Sequence, residues 1–275
     1  MRTIAHISDI HFGRVNPEVA EGLVADLSNR SPTLLVMSGD FTQRARARQF
    51  AAAAAFMKRL PKPQLVVPGN HDISLYDVFR RFFRTFSRYG KYITTDLRPM
   101  YRDEELVVLG LNTARSFSWT LNGFWKDGRI SPEQLLDLKL RLDGVPHDAV
   151  KVVVTHHPFI PPPNARAHGI VLGAAEALEV MQHCGIHLLL AGHLHMNYSS
   201  DVRTHHEEIT RSILSIQAGT ATSTRLRDEP NAYNWITLGK HTVTIEVRSW
   251  NGNAFDVSTI RHYHERAGVW YADDR

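Results

Sequence analysis

Short apolar runs rich in β-branched residues recur along the first two-thirds of the chain, and most of them end in a polar cluster that contains Gly or Pro. Runs of this length and composition predict β-strands. Their apolar residues are nearly continuous rather than alternating, which indicates a sheet covered on both faces. The predicted strands lie at residues 3–9, 34–40, 65–72, 106–113, 151–158 and 187–195.

Helical patterns lie between these strands. Apolar residues recur at every fourth position in residues 17–29, and Ser131 followed by Pro132 predicts the start of a further helix. The other predicted helices lie at residues 45–60, 74–89 and 173–184. Alternation of strands and helices is typical of an α/β fold.

The pattern changes beyond about residue 200, where strands follow one another without helices. They are predicted at residues 212–220, 234–238, 242–250 and 257–264. This order predicts an α/β layer sandwich whose second sheet is finished by the C-terminal strands. Because the chain has no long linker, low-complexity tract or repeat, we expect a single domain over residues 1–275.

The composition of the 275 residues is that of a globular protein, with 43% hydrophobic and 22% charged residues. The formal net charge of +4 and the pI of about 9.3 favour an anionic partner. A single cysteine, Cys184, excludes an internal disulfide framework and favours a reducing compartment. Since the sequence carries neither a signal-peptide pattern nor a run of about 18 apolar residues, we expect a cytoplasmic protein without a membrane span.

Polar side chains follow the predicted strands at the points where the strands end. In open α/β sheets ligands bind beyond the carboxyl ends of the strands, so we expect these side chains to meet at one edge. On a strand, two side chains separated by one intervening residue lie on the same face. This spacing predicts that Asp9 with His11, and His193 with His195, point to a common site. The residues at this edge are Asp9, His11, Asp40, Asn70, His71, Asp72, His156, His157, His193 and His195.

The chemistry of these groups indicates a metal centre. Carboxylates, a carboxamide and neutral imidazoles suit divalent metals such as Mn, Fe, Zn or Ni, and without cysteines they exclude a thiolate zinc site. The groups are too many for one tetrahedral ion and suit two ions that share a bridging carboxylate. Two ions about 3.5–4 Å apart clamp the attacking and leaving oxygens in phosphate-ester hydrolysis. The sequence therefore predicts a dimetal centre for this reaction.

The polar residues form five blocks in a fixed order. The set resembles the calcineurin-like metallophosphoesterases, in particular the small bacterial members that hydrolyse cyclic nucleotides and glycerophosphodiesters. The resemblance implies a four-layer αββα sandwich, in which helices flank two mixed β-sheets and the dimetal site lies at the C-terminal ends of the strands. The five blocks are Asp9-x-His11, Gly39-Asp40, Gly69-Asn70-His71-Asp72, His156-His157-Pro158 and Gly192-His193-x-His195.

The resemblance also implies a role for each residue. His71 contacts the substrate and donates a proton or a hydrogen bond to the ester oxygens, and Asp72 holds the other nitrogen of the His71 ring. The implied reaction is in-line attack of a metal-bridging hydroxide on phosphorus. The implied ligands are Asp9, His11 and His195 for one metal and Asn70, His156 and His193 for the other, with Asp40 shared between them.

Four further residues are candidates for binding the substrate. Arg44 follows the Gly-Asp block, His157 follows a ligand, and Asn164 and His168 lie in a Pro-rich segment just after it. We expect these four side chains to face a small phosphodiester substrate, with two Mn, Fe or Zn ions as cofactors.

Four alternatives stay open. A nuclease, a UDP-sugar–lipid pyrophosphatase or a protein phosphatase would use the same metal centre, and a non-catalytic scaffold would keep only the fold. The pyrophosphatase needs an apolar cap, for which the aromatic stripe of residues 79–86 is a candidate; otherwise we expect this stripe to pack in the core or against a subunit. A nucleic-acid partner and a homo-oligomer also stay open.

Overall fold

The computed structural model describes residues 1–74, 77–116, 127–162, 169–226 and 229–273. The strands are β1 Arg2–Ile7, β2 Leu34–Met37, β3 Gln64–Val66, β4 Met100–Arg102, β5 Leu106–Gly110, β6 Val150–Val154, β7 Leu188–Ala191, β8 Tyr198–Asp201, β9 Leu214–Gln217, β10 Ala232–Leu238, β11 Thr242–Trp250, β12 Phe255–Arg266 and β13 Val269–Ala272. They form two mixed sheets, in the orders β13-β12-β11-β10-β1-β2-β3 and β4-β5-β6-β7-β9-β8.

Helices cover the outer faces of both sheets. Ser131 caps one of them as predicted, since its hydroxyl accepts a hydrogen bond from the Gln134 backbone N–H. In the part of the chain that the structure describes, every helix falls short of the length and apolarity that a bilayer span needs. The helices are α1 Pro17–Arg30, α2 Ala47–Met57, α3 Val78–Phe83, α4 Ser87–Tyr92, α5 Pro132–Leu142 and α6 Ala174–His183.

The central strands are buried on both faces, which explains their nearly continuous apolar sequences. In β2, Leu34 and Val36 belong to the core between the two sheets, whereas Leu35 and Met37 pack with residues of α1 and α2. β6 repeats this alternation on the other side, where Val153 packs with residues of α5 and α6. The predicted αββα sandwich is therefore confirmed.

The C-terminal strands extend the sheet that contains the first strand of the chain. β10 pairs antiparallel with β1, placing Ile236 opposite Ile4, and β11, β12 and β13 follow as a meander. The predicted strand at 212–220 behaves differently, because its ordered part, β9, joins the other sheet parallel to β7. The expectation that all of these strands finish one sheet is thus wrong for β9.

The single helix predicted at 74–89 is wrong, because the chain forms the two short helices α3 and α4 instead. The break follows α3 at Arg84, whose φ of −144° lies outside the helical region. Only Phe86 of the aromatic stripe packs against the core around α2. The other three residues of the stripe are exposed to solvent, which contradicts the expectation that they pack in the core; they are Phe79, Phe82 and Phe83.

His187 gives the fold an expected dependence on pH. Its Nδ1 accepts a hydrogen bond from the Lys151 backbone N–H at 3.1 Å, and its Nε2 lies 3.5 Å from the guanidinium of Arg211. Burial, and to a lesser extent the Arg211 charge, lowers the pKa of His187 to about 4. The folded state therefore keeps this ring neutral, and its contribution to stability is complete above pH 6.5 and is lost as the pH falls towards 4.

Replacing His187 with glutamine is expected to remove this dependence. Between pH 7.5 and pH 5.0 the wild-type free energy of unfolding should fall by about 2 kcal/mol more than that of His187→Gln. Urea denaturation followed by tryptophan fluorescence measures both values. The exposed His147 offers a matched control, and His147→Gln should behave as the wild type. An identical pH dependence in wild type and His187→Gln would contradict the assignment.

Candidate metal centre

The predicted ligands lie on the turns that follow β1, β2, β3, β6 and β7, at one edge of the sandwich. β1 ends at Ile7 and β7 at Ala191, so Asp9 and His193 already lie beyond their strands. The expectation that neighbouring ligands share a strand face is therefore wrong, although the side chains do meet. Left-handed backbone turns aim them instead, with φ of 54° at Asp9, 47° at His11, 54° at Asp40, 72° at His193 and 58° at His195.

One cluster of metal-ligating atoms joins Asp9, His11 and His195. The Nε2 atoms of His11 and His195 lie 3.1 Å apart, and Oδ1 of Asp9 lies 3.4 and 3.1 Å from them. Ligand atoms bound about 2.1 Å from one ion lie about 3.0–3.4 Å apart, so the three atoms fit a common cation.

The Asp9 carboxylate is held so that one oxygen is left for this cluster. Its Oδ2 accepts hydrogen bonds from the Ser8 hydroxyl at 2.6 Å and from the His193 backbone N–H at 3.0 Å. Its Oδ1 is buried and accepts no hydrogen bond from the described residues. Burial favours the neutral acid, but the imidazoles of His195 and His11 outweigh it and hold the pKa of Asp9 well below its usual range. Asp9 therefore offers an ionised oxygen to a cation.

A second cluster joins Asn70, His156 and His193. Oδ1 of Asn70 lies 3.0 Å from Nε2 of His156 and 3.1 Å from Nδ1 of His193, and these two nitrogens lie 3.2 Å apart. This spacing again fits the ligands of one ion. Burial lowers the pKa of His193 to about 3, so its ring is neutral and able to bind a metal.

Asp40 lies between the two clusters. Its Oδ1 is 3.4 Å from Nε2 of His156, and its Oδ2 is 3.7 Å from Nε2 of His11. Oδ1 also accepts a hydrogen bond from the His71 backbone N–H at 2.8 Å. Burial would raise the pKa of this carboxyl, but the surrounding imidazoles, His156 first, hold it far below its usual range. The two oxygens of one carboxylate thus face different clusters.

Backbone carbonyls orient two of the imidazoles. Nδ1 of His156 lies 2.7 Å from the Ser38 carbonyl oxygen, and Nδ1 of His195 lies 3.1 Å from that of Arg225. A carbonyl oxygen accepts only, so each Nδ1 donates and each Nε2 is left for a metal. Burial lowers the pKa of His156, but Asp40 outweighs it and the net pKa is about 9. Since a metal binds the neutral ring, a cation bound at His156 would displace a proton.

His71 borders the clusters without joining either ligand set. Its Nδ1 donates to the Gln43 carbonyl oxygen at 2.8 Å, and its Nε2 lies 3.5 Å from Nη1 of Arg225. Burial lowers the pKa of His71, while the Asp40 charge opposes this effect. The ring thus presents Nε2 to the rim of the site.

Asp72 does not hold the His71 ring, and that expectation is wrong. Its carboxylate accepts hydrogen bonds from the backbone N–H groups of Gly69 at 2.9 Å, Phe41 at 3.2 Å and Thr42 at 2.9 Å. Burial and the Asp40 charge raise the pKa of Asp72 to about 7 in spite of these bonds. Asp72 ties together the turns that carry Asp40 and Asn70, and the Gln43 carbonyl takes the orienting role that Asp72 was expected to have.

The predicted substrate residues lie in different surroundings. His157 is fully buried and bonds through Nδ1 to the Thr113 hydroxyl at 2.7 Å. Its ring centroid lies 4.7 Å from that of His193, with the two planes tilted by 50°, so it packs against that proposed ligand. Arg44 is exposed at the rim of the site. Asn164 and His168 lie outside the described residues.

Two contributors to the site lie outside the predicted ligands and substrate-binding residues. The Gln43 carbonyl orients His71 and the Arg225 carbonyl orients His195. Since every residue type has a backbone carbonyl, residue identity does not mark these two positions. The only sequence signal was indirect, because Arg225 ends a polar segment after the Gly-His-x-His block.

Two adjoining clusters of carboxylate, amide and imidazole groups at the C-terminal edge of an αββα sandwich form a donor set typical of metal-dependent phosphoesterases. The chain belongs to the calcineurin-like phosphoesterase family, whose model matches residues 2–197. It is accordingly a hydrolase of that family, whose members use divalent metal ions, and the sequence-based resemblance is confirmed.

Relatives and solved structures agree with this family. The chain is 26% identical over 210 residues to a protein described as a "Probable cyclic nucleotide phosphodiesterase" from Synechococcus sp., covering 71% of this chain and 74% of that protein. A dimetal phosphatase from Danio rerio shares its fold with a TM-score of 0.61 at 15% identity, covering 90% of this chain and 96% of that one. A purple acid phosphatase from yellow lupin (Lupinus luteus) superposes with a TM-score of 0.63 at 11% identity over 93% of this chain. This chain spans 52% of the lupin enzyme's length.

Proposed function

We propose that this protein is a two-metal phosphodiesterase that hydrolyses a small phosphate diester. The observation that carries the proposal is the position of Asp40, whose two carboxylate oxygens face two separate ligand sets. In the proposal residues 1–275 form one domain, since β10 and the strands after it share a sheet with β1. The proposed ligands are Asp9, His11 and His195 for one ion, Asn70, His156 and His193 for the other, and Asp40 for both.

Two bound cations would supply Lewis-acid activation of the attacking water and would neutralise charge on the phosphoryl oxygens. The nitrogen and oxygen ligands suit Mn, Fe or Zn. The protein contributes the positions of these ligands, because backbone hydrogen bonds such as those from the Asp9 N–H to the Gly39 carbonyl and from the His11 N–H to the Asp40 carbonyl hold the turns that carry them.

His71 is the proposed substrate-contacting residue. Because Nδ1 donates to the Gln43 carbonyl, the neutral ring carries no proton on Nε2. Nε2 therefore donates to an ester oxygen only when the ring is protonated, and an anionic phosphate beside it favours that form. Arg225, at 3.5 Å from the same nitrogen, supplies a permanent cation at this position.

A diester substrate and a cytoplasmic location complete the proposal. The similarity to the Synechococcus protein supports a phosphodiester and favours a cyclic nucleotide. A glycerophosphodiester is the other substrate class that the resemblance of the sequence implies. The free thiol of Cys184 agrees with a reducing compartment.

A metal-replacement assay tests the proposal. Protein stripped with EDTA and then reloaded with Mn²⁺ is expected to hydrolyse bis(p-nitrophenyl) phosphate at least about 10-fold faster than p-nitrophenyl phosphate. The stripped protein should be inactive, and metal analysis should find about two ions per active chain. Absence of metal-dependent turnover would identify a non-catalytic scaffold, and faster turnover of the monoester would remove the diesterase assignment.

A further inference from the structure

A cavity of about 540 Å³ opens beside the metal centre, on the side of His71 and α2. Among the described residues its lining is polar and contains no carboxylate. Five guanidinium groups from three separate chain segments surround it, contributed by Arg14, Arg44, Arg46, Arg48 and Arg225.

Three of these arginines lie on one segment with a fixed backbone, Arg44 and Arg46 in the loop before α2 and Arg48 in the first turn of α2. The side chain of Gln49 is 8% exposed, and its Oε1 accepts hydrogen bonds from the backbone N–H groups of Arg44 at 3.0 Å and Arg46 at 3.3 Å. Ala45 adopts a left-handed φ of 47°, and its N–H donates to the Thr42 hydroxyl at 2.9 Å. A buried polar side chain therefore organises the loop so that its arginines surround the cavity.

Four of these guanidinium groups form no ion pair within the described part of the protein. No described carboxylate lies within 4 Å of the guanidinium groups of Arg14, Arg46, Arg48 or Arg225, whereas Arg248 elsewhere pairs with Asp26 at 2.8 Å. Cations held together without counter-charges repel one another, so such a cavity favours an anionic ligand. Guanidinium groups bind phosphate oxygens through paired N–H donors.

The cavity is continuous with the proposed catalytic site. Arg225 belongs to both, because its guanidinium lines the cavity and lies 3.5 Å from Nε2 of His71 while its carbonyl oxygen accepts from His195. Gln43 also belongs to both, since it lines the cavity and orients the His71 ring. A substrate whose ester group contacts His71 can thus extend directly into the arginine cavity.

We propose that the arginine cavity binds a second phosphate group of the substrate, so that the enzyme prefers small phosphodiesters that also carry a terminal phosphate. This inference rests on the proposed phosphodiesterase function. The cavity volume is that of a small-molecule site rather than of a groove for a polymer. A substrate of this class carries about 1.5 to 2 more negative charges at pH 7 than the simple diester, and the arginines would recognise that difference.

Matched dinucleotides test the preference. We expect kcat/KM for dithymidine phosphate to rise about 10- to 100-fold when a 5′- or 3′-terminal phosphate is added. In the double variant Arg46→Gln/Arg48→Gln this ratio should fall towards one. The exposed lysines Lys58 and Lys240 offer a charge-matched control, and Lys58→Gln/Lys240→Gln should keep the wild-type ratio.

Two outcomes of the kinetic experiment overturn the inference. Equal kcat/KM values for the dinucleotides with and without the terminal phosphate would show that the cavity recognises no second phosphate, while leaving the phosphodiesterase function intact. A much higher kcat/KM for a 20-nucleotide single strand than for either phosphorylated dinucleotide would show that the cavity belongs to a nucleic-acid binding path.

A binding measurement keeps the inference separate from catalysis. Isothermal titration calorimetry in EDTA should give at least about 10-fold tighter binding of adenosine 3′,5′-bisphosphate than of adenosine 3′-monophosphate, lost in Arg46→Gln/Arg48→Gln. This result would support the second-phosphate site even for a protein without diesterase turnover. Equal affinities for the two nucleotides would overturn it.

Discussion

Replacing Asp40 with asparagine is expected to lower kcat for bis(p-nitrophenyl) phosphate by at least about 100-fold, since changes to residues that only support metal ligands already cost 10- to 100-fold. Asparagine tolerates the left-handed φ of 54° at this position and can still accept the hydrogen bond from the His71 backbone. What it lacks is the negative charge and one of the two acceptor oxygens. The loss therefore reports on the shared carboxylate rather than on the backbone.

The metal content of Asp40→Asn separates this interpretation from a general loss of structure. We expect about one ion per chain in place of two, measured by plasma mass spectrometry after dialysis. The exposed Asp148 gives a matched control, and Asp148→Asn should keep both ions and full activity. Two tightly held ions and normal turnover in Asp40→Asn would show that Asp40 does not bridge them.

Replacing Gly192 with alanine is expected to disrupt the metal centre and the packing beneath it. A Cβ atom at this position would lie 1.8 Å from the Ser8 hydroxyl oxygen and 2.6 Å from Oδ2 of Asp9. Both neighbours are buried, so Asp9 would have to move away from His11 and His195. Overpacking of this kind costs about 1–3 kcal/mol of unfolding free energy. We expect that loss in urea denaturation, together with loss of bound metal and of diesterase activity.

Two further variants make the Gly192 result specific. Gly90→Ala adds a Cβ whose nearest neighbour is 3.6 Å away, so its stability and activity should be unchanged or slightly improved. Ser8→Gly combined with Gly192→Ala removes the side chain that the new methyl group meets first, and it should recover part of the lost stability. Equal stability of the wild type and Gly192→Ala would contradict the close packing of this turn.

The fold was largely predictable because the sandwich buries both faces of its central strands. Residues such as Leu34 to Met37 therefore stand out as unbroken apolar runs. The break at Arg84 was not predictable, since the aromatic spacing around it is that of a continuous helix. The partner of β9 depends on contacts distant in sequence, and local patterns carry no information about them.

The meeting of the candidate metal-binding residues at one edge was predictable, because their chemistry is specific and they follow recognisable strands. Their supports were harder to find. The Gln43 carbonyl oxygen orients the His71 ring, a role that was expected of Asp72. The Asp72 carboxylate instead accepts hydrogen bonds from three backbone N–H groups. Carbonyl oxygens are common to all residues, so the sequence does not mark the one that orients an imidazole.

The left-handed backbone at five of the proposed ligands has a consequence for protein engineering. Each such residue is held in a conformation that costs about 1 kcal/mol relative to glycine, and the surrounding sandwich compensates for it. Transplanting the centre to another scaffold therefore requires the turns as well as the side chains. Selection for thermal stability alone would favour glycine at these positions and would thereby remove the proposed ligands. Such a selection must therefore also measure metal affinity.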